Sequence, residues 1–404
     1  MNKKISVKTL IAFLVVSIVL TFNITYVILN VRHNREMDEL ISKNKYLSTL
    51  LTVDQVVRQN YVGDIDDEEL KNSIIRGYLE GIGDNYSQYM TSKEYEDYLS
   101  EFGGSAVGIG VNVIYNIKEA TIEVIDVISD SPAEEAGIQV GDFIVAVEGS
   151  RVTDIGYYAA VDLIKGESGT AVTVTVKRED GEHNLICVRA AVSVVTVKYR
   201  VYSKDSSIGI IKISSFYSET PDDVKNAVES LKVLGCSKFI FDLRNNGGGE
   251  LNSIIKTLDY ILPEGKLADI YYSTGKAASF KSDANYLDAS VAVLVNGNTA
   301  SAAELFAAAL RDYTKEGKYD ALLVGTNTYG KGVFQSFYTL PDGSAFKFTV
   351  GRYDPPCGIN YDGDGVAPDV IEDLSEEAKE IGLYKLTDEN DNQLIAAAIR
   401  LSAK

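Results

Sequence analysis

The spacing of apolar positions changes three times along the chain. An unbroken apolar run, Leu10 to Leu29 (LIAFLVVSIVLTFNITYVIL), comes first. From residue 36 to about residue 100, apolar side chains recur every three or four positions, in EMDELISKNKYLSTLLTVDQVVRQNYVG, DDEELKNSIIRGYLEGIG and SKEYEDYLSEF. That period predicts amphipathic helices, the last with Ser92 as its N-cap. From Gly103 to about Val188 the period becomes two. TIEVIDVI, DFIVAVEG, AVTVTVKRED and HNLICV read as strands. Two short helices interrupt them: SPAEEAGI, with Ser131 at N-cap, Pro132 at N1, Glu134 at N3 and Gly137 as the stop, and YYAAVDLIKG. Beyond Val194, strands (SIGIIKI, KFIFDLR, SVAVLVN) alternate with helices (ETPDDVKNAVESLKVLG, GELNSIIKTLDYIL, SAAELFAAALRDY). This order predicts a mainly parallel sheet covered by helices. The last forty residues read as a capping helix pair.

Composition narrows the function. A length of 404 residues suits two to three domains. The net charge of −19 leaves no basic surplus to neutralise phosphates, which argues against nucleic acid as a primary partner. Three cysteines (Cys187, Cys236, Cys357) and two histidines (His33, His183) are too few and too scattered for a structural zinc site. The uncharged run 10–29 is long enough to span a bilayer. Lys3, Lys4 and Lys8 precede it, and no small-x-small cleavage site follows. The expectation is an uncleaved single-pass anchor, with residues 1–9 cytoplasmic and the body outside the cytoplasm.

Several stretches carry candidate chemistry. Gly325, Gly330 and Lys331 in GTNTYGKG have P-loop spacing, but Gly332 replaces the required Ser or Thr, and the following VFQSFYTL reads as strand rather than helix. DGDGVAPDV lacks the third carboxylate and closing Glu of a calcium loop and reads as a turn. Ser301 starts a helix, and Ser301-Ala-Ala-Glu304 spells a capping box. The same place suits a nucleophile, because a helix N-terminus offers unpaired N–H groups to a developing oxyanion. Neither histidine belongs to the α/β region, so a Ser-His-Asp triad finds no base. Lys331, flanked by glycine and apolar residues, is the alternative base. Holding it neutral near pH 7 means lowering its pKa from about 10.4, a difference of roughly 4 kcal/mol between its protonation states. Gly247, Gly248 and Gly249 follow a strand and suit either a flexible turn or close backbone approach to a ligand.

Taken together, GDNYSQYMTSKEYEDY, FGGSAVGIGVNV, SPAEEAGIQVGDFIVAVEGSRV, DLRNNGGG, NTASAAE and GTNTYGKGVFQ occur in an order that resembles the C-terminal processing peptidases, serine endopeptidases with a Ser–Lys dyad and an inserted PDZ domain. The resemblance implies an α/β (α+β) peptidase core of ClpP/crotonase-like type at 191–375 and a PDZ domain at 103–190. A helical cap at 36–102, a transmembrane helix at 10–29 and a C-terminal helical segment at 376–404 complete it. It implies Ser301 as nucleophile, Lys331 as general base, Gln335 as the residue orienting the lysine, and the N–H groups of Gly248 and Ala302 as the oxyanion hole. Val107, Gly108, Ile109 and Gly110 would bind a peptide carboxylate. Lys165 matches a basic position linking PDZ and protease. Asp312 lies roughly 16 Å along the helix from Ser301 and reads as structural. The implied partners are polypeptides with accessible C-termini and a second copy of the chain, with no cofactor and no metal. A catalytically silent PDZ scaffold is the alternative. The chain departs from the pattern at Gly247 (often Pro), at Ala303 (often Ser), in CGINYDGDGVAPD, and in the extra residues of RDYTKEGKYDA.

Overall fold

The structure is a computed structural model that describes residues 20–23, 25–27, 32, 44–102, 105–116, 119–275 and 277–403. The predicted anchor at 10–29 and the start of the predicted cap therefore lie for the most part outside the described residues. Among the described residues no helix is long and apolar enough to cross a membrane.

The chain divides into two units, Met1–Lys71 and Asn72–Lys404. The first contains the helix Lys45–Asn60, on which Arg58 reaches back four residues to Asp54 at 2.8 Å.

In the second unit the predicted alternation builds a six-stranded sheet. Its order is Val197–Val201, Ile208–Ile213, Lys238–Asp242, Ser290–Val295, Ala321–Gly325 and Val370–Ile371. Only the first pair is antiparallel. The central strands read as continuous apolar runs because both faces are covered. Ile211, Ile213, Phe239, Phe241, Val291, Val293 and Leu323 pack against the helices Thr220–Val233, Leu251–Ile261 and Ala302–Lys315. Alternate residues, among them Ile208, Ile210, Ile240, Leu294 and Val324, pack on the other side against the helix Asn392–Ser402.

A second sheet is not contained in the local pattern. The strand Ala345–Asp354 pairs with Val333–Thr339, with Gly265–Tyr272 and with Gln88–Met90. The stretch read as wholly helical thus contributes a strand, Gln88–Met90, between the helices Asp67–Glu80 and Ser92–Phe102. Three residues are too few to display a period. The predicted cap at Ser92 also moves back one position. Thr91 Oγ1 accepts the Glu94 N–H at 3.3 Å, and Glu94 returns the bond to the Thr91 N–H at 2.7 Å, a capping box.

The strand-rich module forms a sheet ordered Val111–Asn116, Thr121–Val127, Phe143–Val147, Ala171–Arg178, Gly181–Val188. Ile122, Val124, Ile144, Val174 and the helix residues Ala160 and Ile164 form its own core. Ser131 caps the short helix Pro132–Glu135 by accepting from the Glu134 N–H, as its sequence predicts.

Candidate active site

The site lies where central strands hand over to helices. After Ser290–Val295 the chain turns through Asn296–Ala300 and starts the helix Ala302–Lys315. Thr299, fully buried, ties this turn to the neighbouring strand by donating to the Leu243 carbonyl at 2.9 Å. Ser301 then adopts φ +58° and ψ −121°, a conformation L side chains rarely take. Such strain persists only where the surroundings impose it, and it concentrates at functional positions. Here it presents Oγ at the head of the helix, beside the Ala302 N–H, which has no acceptor among the described residues.

The glycine-rich loop closes over this point. Asn246, fully buried, donates to the Ile213 carbonyl at 2.9 Å and accepts the Ala300 N–H on its own carbonyl at 2.9 Å. Its Oδ1 takes the Gly248 N–H at 2.8 Å. Gly248 sits at φ +104°, and a Cβ there would fall 2.8 Å from Ser301 Cβ and 3.0 Å from Ala302 N. Glycine is required for both reasons. The predicted oxyanion pair is therefore adjacent, with the Ala302 N–H open and the Gly248 N–H engaged inside its own turn.

Glu304 joins the serine to the lysine loop. Its buried carboxylate accepts from the Ser301 N–H (2.9 Å), the Thr328 hydroxyl (2.5 Å), the Gly330 N–H (2.6 Å) and the Lys331 N–H (2.7 Å). Lys331 is followed by the strand Val333–Thr339, so the phosphate-cradle geometry is absent. The missing hydroxyl at Gly332 has a steric counterpart: a Cβ there would lie 2.3 Å from Asn360 Oδ1. The Gly332 N–H is instead taken by Asp362 Oδ1 at 2.9 Å, which gives the aspartate of the DGDG turn a structural role.

Half-buried Lys331 places Nζ 4.4 Å from the ring centroid of Tyr86, and no hydrogen bond joins it to Ser301 Oγ. Its ammonium gives up its proton more readily than an ordinary lysine's. Burial is the main cause and the nearby Lys347 ammonium adds to it, while Asp84 and Glu304 oppose. Asp84 fixes the Tyr86 segment to the second sheet: one oxygen accepts the Tyr86 N–H (3.1 Å), the other the Ser87 hydroxyl (2.7 Å) and the Thr349 N–H (3.0 Å). Ser301 Oγ lies 3.0 Å from the hydroxyl of Tyr353, which is also 2.9 Å from the Lys331 carbonyl.

Other predicted residues are placed differently. The Gln335 amide donates to Thr349 Oγ1 at 3.2 Å, and no hydrogen bond links it to Lys331. Lys165 is exposed just past the helix Tyr157–Ile164 and makes no ion pair among the described residues. Asp312 is structural, as expected, since it takes the Cys357 N–H at 3.0 Å. Val107 and Gly108 end the strand Ser105–Gly108, paired with Ala190–Ser193. Ile109 and Gly110 offer carbonyls to Ala133 and Ile128, and their N–H groups find no acceptor among the described residues. Next to them, Val111–Asn116 is an open edge of its sheet.

Sequence reasoning missed Tyr353, Tyr86, Asp84 and Lys347, and saw in Glu304 only a helix cap. A carboxylate three residues after a candidate nucleophile was the one available signal.

A two-faced α/β sheet, a strained serine at a helix N-terminus and a half-buried lysine held to it by one carboxylate define a serine-peptidase class of protein. The chain matches Peptidase family S41 over residues 207–371 and a PDZ domain over residues 123–178. It is 31% identical over 348 residues to the "Probable CtpA-like serine protease" of Staphylococcus saprophyticus, covering 84% of this chain and 69% of that protein. The protein of the same description from Staphylococcus haemolyticus is 31% identical over 380 residues, 91% of this chain and 73% of that one. The solved structure of the photosystem II D1 C-terminal processing protease aligns with a TM-score of 0.50 at 25% identity, covering 85% of this chain and 92% of that one. The chain belongs to the S41 peptidases. It is a serine-type peptidase with a PDZ domain, similar to the CtpA-like C-terminal processing proteases.

Proposed function

We propose that this chain is a membrane-anchored endopeptidase with its catalytic body outside the cytoplasm. It recognises free polypeptide C-termini through the PDZ domain and cleaves peptide bonds by a Ser301–Lys331 dyad. The observation that carries this reading is the Glu304 carboxylate, which holds the backbone of both Ser301 and Lys331 at one helix N-terminus. The anchor rests on the apolar run 10–29 behind Lys3, Lys4 and Lys8. The PDZ role is supported by the open N–H groups of Ile109 and Gly110 beside an edge strand to which a peptide can add.

In this mechanism neutral Lys331 takes the Ser301 proton as Oγ attacks the scissile carbonyl. The oxyanion develops at the Ala302 N–H, and Gly248 serves as second donor once its N–H turns from Asn246. The C–N bond then breaks, the leaving amine takes its proton from the Lys331 ammonium, and water hydrolyses the acyl-enzyme by the same exchange. The chemistry requires Nζ to leave the Tyr86 ring and reach Oγ.

The test incubates the purified full chain, Ser301→Ala and Lys331→Ala with an unstructured peptide bearing a free or an amidated C-terminus. The expected result is cleavage by the wild type alone, faster for the free C-terminus. Wild-type rates from Ser301→Ala would sink the dyad. Binding of the free C-terminus with no cleavage by any protein would establish the silent scaffold.

A further inference from the structure

We propose that Tyr353 is a positioning residue that parks the Ser301 hydroxyl off Lys331 and so sets the reactivity of the nucleophile; this rests on the Ser301–Lys331 reading above. The hydrogen count leads there. The Tyr353 phenol has one hydrogen and three neighbours: Ser301 Oγ at 3.0 Å, the Lys331 carbonyl at 2.9 Å, and the Tyr361 hydroxyl, which has a hydrogen of its own to donate. The carbonyl can only accept, and no other donor reaches it among the described residues. The phenol hydrogen therefore goes to the carbonyl, and the contact with Ser301 uses the serine's own hydrogen. The proton that a base must remove is held by a phenol instead.

Tyr353 cannot serve as that base. Burial raises its ionisation well above the usual tyrosine range, so the phenol stays protonated. Nor can the ring follow the serine. It is 3% exposed, with Phe334 stacked at 6.4 Å and Tyr361 edge-on at 6.1 Å. Its N–H donates to the Gly332 carbonyl at 3.2 Å, and its carbonyl takes Asn360 Nδ2 at 2.9 Å. The mobile partner is Ser301, whose hydroxyl exchanges between staggered wells by one torsion. Lys331 completes the picture, with Nζ directed at Tyr86 and not at Oγ. The phenol contacts both halves of the dyad, the side chain of one and the backbone of the other. Acylation thus begins by exchanging the Tyr353 hydrogen bond for one to Lys331.

Tyr353→Phe keeps the ring stack and removes only the hydroxyl. The measurement is the second-order rate constant for labelling of Ser301 in the full chain by a small alkyl fluorophosphonate, without peptide. Wild type, Tyr353→Phe, Lys331→Ala, the double variant and Ser301→Ala are compared. Tyr353→Phe is expected to label about two- to tenfold faster, the effect of one neutral hydrogen bond. That gain should vanish in the Lys331→Ala background, because the freed hydroxyl is useful only to the base. A site merely loosened by the substitution would label more slowly. The proposal is overturned if Tyr353→Phe labels at or below the wild-type rate while labelling still requires Ser301 and Lys331. If Lys331→Ala labels as fast as wild type, the dyad itself fails, and the parking role fails with it.

Discussion

The carboxylate of Glu304 accepts the backbone N–H of Lys331 at 2.7 Å, across 27 positions of sequence. Because its oxygens also hold the Ser301 N–H, the spacing of the proposed nucleophile and base is set by one buried side chain. Glu304→Gln retains the volume but replaces an acceptor oxygen with a donor, facing N–H groups that can only donate. Hydrogen bonds to charged groups are worth about 1.5–3 kcal/mol each. We expect at least a tenfold loss of kcat with a smaller effect on KM, measured on an unstructured peptide. Unchanged kcat would remove Glu304 from the positioning of the site.

The lowered Lys331 pKa fixes the sign of a pH profile. A general base acts when unprotonated, so kcat/KM should rise with pH through one ionisation that falls below the ordinary lysine value of about 10.4. Burial and Lys347 both push it down, while Asp84 pulls it up. Lys347→Gln should therefore move the rising limb to higher pH. The linkage has the same sign: between the folded and unfolded values the unfolded chain binds more protons, so stability also gains with pH in that window. A limb unmoved by Lys347→Gln would show that Lys331 is not the group titrating.

Much of the core was legible in the sequence because its signals are local. Strands covered on both faces read as apolar runs, and amphipathic helices read by their period. Ser301 was visible as a helix start, and Glu304 was visible as its cap partner. What could not be read is the assembly of the second sheet, which joins Gln88–Met90, the pair Gly265–Tyr272 and Ala277–Ser282, and the pair Val333–Thr339 and Ala345–Asp354, although VFQSFYTL by itself reads as strand. The groups that touch the site arrive on that sheet and its flanks. Tyr353 meets Ser301 across 52 positions, and Tyr86 meets Lys331 from the segment preceding the hidden strand. No periodicity encodes such pairings, since they depend on how sheets stack and not on any one strand. Gln335 is a different case: the family resemblance implies that it orients Lys331, and in the structure its amide donates to Thr349 Oγ1.

Gly248 separates two requirements of its loop. At φ +104° any side chain is strained, and a Cβ would press on Ser301 Cβ at 2.8 Å. Gly248→Ala should displace both the proposed oxyanion donor and the nucleophile. Losing one such donor costs about 10²–10³ in kcat. We expect a loss of that order with a circular dichroism spectrum like that of the wild type. Retention of more than about a third of wild-type kcat would place the oxyanion elsewhere.

Arg244 begins the same loop and is clamped between Asp242 and Asp391, at 2.7 Å to each, with Gln393 at 3.0 Å. It is 5% exposed, and it joins the end of a core strand to the start of the helix Asn392–Ser402. Burial works against ionisation of Asp242, but the Arg244 charge outweighs it and holds the carboxyl below its usual range. The stability this supplies is fully present above the unfolded aspartate pKa of about 3.9 and is lost as pH falls through the folded value. Removing the cation leaves two buried carboxylates without their partner, a change that typically costs about 3–5 kcal/mol. Arg244→Met should lose that much in urea unfolding at pH 7. Asp391→Asn, which keeps the Asp242 pair and an acceptor for the Leu394 N–H, should lose less. Because the six residues after Asp242 carry Asn246 and Gly248 to Ser301, activity at temperatures where Arg244→Met stays folded should fall as well. An Arg244→Met unfolding free energy within about 0.5 kcal/mol of wild type, the range of ordinary surface substitutions, would show that this clamp contributes little.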